Sequence, residues 1–147
     1  MNINKFTQKS MEAVQNCEKL AYEFGNQEID QEHLLKSLID QEDGLILKLI
    51  EKMEINTAHF SNRVTEDLNK KVKVQGGDLR ISNDLNKVLI TAEDEAKAMG
   101  DEYVSVEHLF LSLLKYPNKA MKELFKEYGI TRDRFLTALS TVRGNQR

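Results

Sequence analysis

The sequence predicts an all-α fold of eight helices, arranged as two tandem four-helix repeats with pseudo-twofold symmetry. Three observations predict it. The stretch Glu32-His33-Leu34-Leu35-Lys36-Ser37-Leu38-Ile39 occurs again as Glu107-His108-Leu109-Phe110-Leu111-Ser112-Leu113-Leu114. The same 75-residue step that carries His33 onto His108 also carries Thr7 onto Ser82, Gly25 onto Gly100, Leu49 onto Leu124, Ile55 onto Ile130 and Phe60 onto Phe135, so residues 6–64 align without a gap onto 81–139. Within each copy, apolar residues recur at three- and four-residue steps between cap residues and glycines, the pattern of helices that bury one face. A duplicated unit with apolar faces this wide is expected to pack its halves together, each completing the other's core.

Taken in order, Thr7 is a good N-cap for a first helix over 7–24, with Ser10, Val14, Cys17, Ala21 and Phe24 on one face and Gly25 as its stop. Its twin starts at Ser82, buries Leu85, Val88, Leu89, Ala92, Ala96 and Met99, and stops at Gly100. Cys17 corresponds to Ala92 and therefore reads as a small core residue rather than a nucleophile. The second helices, 31–40 and 106–115, are capped by Asp30 and Ser105. Their Glu32 and Glu107 fall near N2, where a negative charge against the helix dipole contributes about 0.3–1 kcal/mol. His33 and His108, at N3, are expected to hydrogen-bond locally at the repeat interface.

The third pair carries Leu45, Ile46, Leu49, Ile50 and Met53 in one copy and Ala120, Met121, Leu124, Phe125 and Tyr128 in the other, started by Asp43-Gly44 and Pro117-Asn118. Asn56 and Thr131 cap the fourth pair, which buries Phe60, Val64 and Leu68, and Phe135, Leu139 and Val142. The segment around Val72–Asp78 lacks a helical period and contains Gly76-Gly77, so residues 70–80 read as the connection between repeats, with Val72 and Val74 extended but partnerless. One domain is expected over 1–142, and the polar run 143–147 reads as the start of a linker.

Composition narrows the function. One cysteine excludes an internal disulfide framework, and the first residues lack the apolar core of a signal peptide, so the cytoplasm is the expected compartment. No apolar run approaches the roughly 20 residues of a membrane span. A net charge of -3 argues against nucleic acid, and Lys70, Lys71 and Lys73 read as a solvated helix end. There is no phosphate-binding loop, the three histidines lack metal-ligand spacing, and Glu93-Asp94-Glu95 reads as a solvated face. Neither a metal nor a cofactor is expected, and no catalytic residue is assigned. The chain reads as a binding module rather than an enzyme. A small helical enzyme or ligand sensor, the rival class, would need convergent polar groups in a closed pocket.

Several matches carry a family resemblance: Asn4-Lys5-Phe6-Thr7, Gln27-Glu28-Ile29, Gln41-Glu42-Asp43-Gly44, the run Asp101–Leu109, and Arg143-Gly144. On these the chain resembles, over essentially its full length, the N-terminal domain of the Clp family of AAA+ protein-remodelling ATPases, with the ClpB-like disaggregase branch nearest. The resemblance implies an accessory domain that binds unfolded or aggregated polypeptides and, in relatives, adaptor proteins. It implies a monomeric domain attached to a hexameric ATPase, whose ATP and Mg belong to modules absent from these residues. The chain is thus either an isolated domain of a longer protein or a stand-alone relative. In ClpB-like domains the positions matching Thr7, Asp101 and Glu107 are implicated in substrate handling. In the alternative, ClpC-like and protease-coupled, adaptors dock or phosphoarginine is held by Glu32 with Thr7 and by Glu107 with Ser82. A helix N-terminus offers amides to phosphate and a carboxylate takes a guanidinium. The same residues also read as ordinary caps.

Overall fold

The computed structural model describes residues 2–145. Its eight helices are α1 (Gln8–Glu23), α2 (Gln31–Ile39), α3 (Leu45–Lys52), α4 (Thr57–Asn69), α5 (Asn83–Ala98), α6 (Val106–Lys115), α7 (Lys119–Tyr128) and α8 (Arg132–Asn145). The expected starts are made by side chains: Thr7, Asn56, Ser82 and Asn118 each accept the amide three residues on. α3 differs, because its N-cap is Gly44 and no side chain caps it. Gly129 ends α7 in the left-handed region at φ 64°, where a glycine carries no Cβ penalty.

α2 and α6 are the centre of the molecule. Leu34, Leu38, Leu109 and Leu113 have no exposed surface, and α2 packs on α1, α3, α4, α5, α6 and α7. Each is fastened to the first helix of its repeat by an equivalent bond, Ser37 Oγ to the Ala13 carbonyl (2.6 Å) and Ser112 Oγ to the Val88 carbonyl (2.8 Å). The repeats differ in what fills the core. Phe110 stacks on Phe135 at 4.5 Å and meets Phe125 at 5.7 Å, where repeat one has Leu35, Phe60 and Ile50.

The pseudo-twofold is written in the backbone. β1 (Glu28–Ile29) pairs in parallel with β2 (Arg80–Ile81), and Phe6 bridges to Val104, which are the equivalent residues with the repeats exchanged. The Thr7 amide accordingly donates to the Val104 carbonyl and the Ser82 amide to the Ile29 carbonyl, both at 2.9 Å. The stretch leading into each repeat therefore pairs with the other repeat.

Three local expectations change. The extended residues of the connection are Arg80 and Ile81, not Val72 and Val74; the latter two lie exposed against the end of α1, with the Val74 amide on the Gly25 carbonyl at 2.8 Å. Glu95 is buried, not solvated, because Arg132 grips both its oxygens at 3.1 and 2.7 Å. Helix α8 continues to Asn145, past Val142 where the polar composition suggested a linker, since Arg143 is tied back to the domain. The rest of that expected linker, Gln146 and Arg147, lies outside the described residues, as does Met1.

Candidate functional site

The two Glu-His-Leu pairs begin alike and end in different surroundings. At both starts the histidine supplies one arm of a capping box: His33 Nδ1 accepts from the Asp30 amide at 2.9 Å and His108 Nδ1 from the Ser105 amide at 2.8 Å. A neutral ring used this way carries its proton on Nε2. That proton points to Asn26 Oδ1 (2.9 Å) in repeat one and to Asp101 Oδ2 (2.7 Å) in repeat two. Asn26 and Asp101 are equivalent positions, so one substitution makes the second site more acidic than the first.

In repeat one, Glu32 is enclosed. Its side chain is 4% exposed and bonds to Lys71 Nζ at 2.7 Å and Asn118 Nδ2 at 2.8 Å. Asp30 receives its own helix's Gln31 amide (2.8 Å), the Ser82 hydroxyl (2.9 Å) and Lys71 (3.3 Å). Gln31 closes the underside, donating to the Asp84 and Tyr116 carbonyls and accepting from the Asn118 amide. The starts of α2, α5 and α7 thus meet around one lysine from the connection. Burial would push the Asp30 carboxyl up, but the Gln31 amide, Lys71 and Ser82 together hold it below the usual aspartate value. Burial likewise works against the Lys71 charge, and Glu32 beside it overrides that and raises its pKa. Burial, helped by the positive Lys71, pushes His33 down to about 4.

In repeat two, a single side chain does the equivalent work. Arg143, in the last turn of α8, forks onto Asp101 at 3.2 and 2.8 Å and reaches Glu107 Oε2 at 2.8 Å. The Arg143 bond holds the Asp101 carboxyl below its usual range, with His108 adding to it. Asp101 in turn raises the Arg143 guanidinium. Side-chain exposures of 28% for Asp101 and 30% for Arg143 leave this cluster open to solvent.

The candidate residues are therefore brought together in a crossed arrangement. Ser82 bonds to Asp30 beside Glu32, and Thr7 sits on the Val104 carbonyl at the start of the Glu107 helix. The pairing of Glu32 with Thr7 and of Glu107 with Ser82 is corrected, because the exchanged backbone pairing carries each first-helix cap to the opposite repeat. Lys71, Asn118, Asn26 and Arg143 complete the two clusters and were not singled out from sequence. Lys71 read as part of a solvated run, Asn118 as a cap and Arg143 as linker. Only their proximity in space distinguishes them.

Between α1 and α5 lies a shallow apolar depression lined by Val14, Cys17, Ile29, Ile81, Leu85 and Leu89, with Gln15 and Glu18 at its edge. Ile81 is 48% exposed there. The Cys17 thiol beneath it is pushed up to about 12 by burial, so it lines the floor as an inert thiol. Ile29 adjoins Asp30 of the first polar cluster, and the equivalent residue, Val104, adjoins Ser105 of the second. Among the described residues no group of three His, Cys, Asp or Glu is placed to hold a metal ion, and no helix is long and apolar enough to cross a membrane.

Residues 5–128 match the Clp repeat N-terminal domain family. Over its whole length the chain is 39% identical to the chaperone protein ClpB of Nitratidesulfovibrio vulgaris, and it spans 18% of that relative's length. Its fold superposes on the Hsp104 N-terminal domain from Candida albicans with a TM-score of 0.82 at 27% identity, covering 97% of this chain and 94% of that one. At 19% identity and a TM-score of 0.75, the same fold is seen in a ClpV N-domain solved in complex with a VipB peptide, covering 94% of this chain and 86% of that one.

Proposed function

The chain belongs to the Clp repeat N-terminal domain family, and on that premise we propose that it is the polypeptide-binding accessory domain of a ClpB-like, ATP-dependent protein disaggregase, engaging unfolded or aggregated segments. ATP hydrolysis, Mg binding and hexamer assembly then belong to parts of the protein outside this chain, and the cytoplasm is the compartment in which it acts. The observation that carries the reading is the apolar depression between α1 and α5, whose floor of Cys17, Ile29, Leu85 and Leu89 belongs to the core. Covering the half-exposed Ile81 side chain there removes apolar surface from water, at about 25 cal/mol per Å². Asp101 and Glu107, with Thr7 at the neighbouring helix start, are the polar residues we assign to partner contact. The ClpV N-domain offers a precedent in fold for peptide binding.

The alternative is an adaptor-docking or phosphoarginine-binding domain of a ClpC-like unfoldase. It asks Glu32 and Glu107 to take a ligand guanidinium, yet each already holds a cation of the chain, Lys71 or Arg143. Glu32, with Asn118 and Ser82 closing around it, is the less accessible of the two, and we assign it and Ser82 to structure before binding.

The test is a titration of a permanently unfolded, apolar-rich polypeptide into isotope-labelled chain, followed by NMR. Weak binding is expected, because a disordered ligand loses conformational freedom on docking. Shifts should centre on Val14 and Ile81 and vanish in Ile81→Asp, where the substituted side chain is half-exposed rather than part of the core. No movement at high micromolar ligand would sink the reading, whereas shifts confined to the Glu32 surroundings would favour the alternative.

A further inference from the structure

The extended stretches that lead into the two repeats differ in how much of their backbone is left over. In β2 the amides of Arg80 and Ser82 donate to the Gln27 and Ile29 carbonyls at 3.1 and 2.9 Å. Backbone groups alternate in direction along a strand, so the amide and carbonyl of Ile81, which lies between those two residues, point away from β1. Among the described residues neither group is hydrogen-bonded within the chain, and neither are those of Leu79. Such an edge is a template for a further strand.

The equivalent edge is closed. Phe6 stands where the second repeat has Ile81, and its amide turns back onto the Ile3 carbonyl at 3.1 Å in a short 3-10 turn over Ile3–Lys5. Asp78, the equivalent of Ile3, makes no such bond to Ile81. The Phe6 ring is packed away at 8% exposed, whereas Ile81 is 48% exposed. Beside the open edge lies the depression between α1 and α5. Ile29 and Ile81, opposite one another in the parallel register, both line it. Its volume of about 190 Å³ is below the roughly 300–1,000 Å³ of a ligand pocket. It suits single anchoring side chains rather than the row of anchors that an amphipathic helix lays into a groove.

We propose that an extended segment of the bound polypeptide adds to β2 as a third strand, hydrogen-bonding to the Ile81 backbone and setting an apolar side chain into the depression. The proposal rests on the reading that this depression binds polypeptide, and it adds the conformation that is recognised. Main-chain groups are common to all sequences, so bonds to them let one surface hold unfolded segments that share no motif, while the depression selects an apolar residue. A helical or folded segment has already spent its backbone groups on itself and cannot make these bonds.

The experiment uses the 147-residue chain and a short capped peptide in which valine alternates with threonine. Two further versions carry N-methyl groups on every valine or on every threonine. In a strand the valine amides point to one edge and the threonine amides to the other, so only one version blocks the bonds to Ile81. That version should bind at least about fivefold more weakly than the parent peptide, the worth of a lost hydrogen bond, and the other should bind about as well as the parent. Saturation with the parent peptide should slow exchange of the Ile81 amide severalfold, as read by NMR. Equal affinities of the two methylated versions overturn strand addition, as does unchanged Ile81 exchange at saturation. Either result alongside shifted Val14 and Ile81 resonances removes strand addition and leaves the polypeptide-binding reading standing. No shift with this peptide or with the unfolded polypeptide removes both.

Discussion

The repeats share a motif, a backbone and a set of core leucines, yet Glu32 is enclosed on all sides while Glu107, also buried, is covered by one half-exposed arginine. The difference is made by what each helix start meets. In repeat one, the α5 and α7 caps and the connection converge on it. The start of α6 meets Thr7 and the end of α8, and Asp101, standing where repeat one has Asn26, puts an acid in place of an amide there. Duplication thus gave one fold two copies of a polar cluster. We assign one to structure and the other to binding.

The largest effect should be the same in both halves, which tests how far the equivalence reaches. Leu→Ala at Leu34, Leu38, Leu109 or Leu113 should cost roughly 2–5 kcal/mol by leaving a cavity. Chemical denaturation would show it, and a loss below about 1 kcal/mol in one repeat alone would break the symmetry of the core. The polar clusters should then separate the repeats. Lys71→Met leaves Glu32 buried with only Asn118 beside it, and the uncompensated group should cost about 1–3 kcal/mol. Arg143→Gln, acting on a partly exposed pair, should cost no more than about 1 kcal/mol. Equal losses would mean that both clusters are structural.

Acid should expose the same contrast through His33. Its folded pKa of about 4 lies below the usual 6.5, so between those values the unfolded chain binds the proton and the folded one does not. Its contribution is fully present above pH 6.5 and falls as pH drops toward 4, by at most about 1.4 kcal/mol per pH unit. Asp30 and Asp101, held below their usual value, lose their contributions only at lower pH. Melts at pH 7, 6 and 5 should show a slope that His33→Gln flattens, and an unchanged slope would remove His33 as its source. The smallest stability change belongs to Glu107→Gln, about 0.3–1 kcal/mol if the charge acts chiefly on the helix dipole. Its polypeptide affinity should drop by more than that, as should that of Asp101→Asn, while Glu32→Gln should show the reverse, a larger stability loss and a smaller binding loss. Thermal melts paired with polypeptide titrations on the three variants would show which quantity moves.

The candidate site was only partly legible. Glu32, Glu107, Thr7 and Ser82 stood out because caps and N2 acids are local features tied to helix starts, and His33 and His108 could be placed at N3 for the same reason. Their partners lie far along the chain: Lys71 is 39 residues from Glu32, Asn118 is 86, and Arg143 is 36 from Glu107. Glu95 was misread as solvated for the same reason, since its partner Arg132 is 37 residues away. No periodicity reports such a meeting.

By itself the sequence determined the duplication, the helices and, α8 apart, their ends, and the leucine rows that form the core, because each depends on residues within a turn or two or on an exact repeat. Tertiary structure alone decided which repeat each cap would serve. The short pairings of Ile29 with Ile81 and of Phe6 with Val104 exchange the stretches leading into the repeats, so Ser82 lands beside Asp30 and Thr7 beside the Glu107 helix. The two-residue strands involved have no run long enough to show an alternating pattern, and their hydrogen bonds form only when the packed halves bring them together. The same packing decided that one glutamate would be enclosed and its twin left under an arginine at the surface.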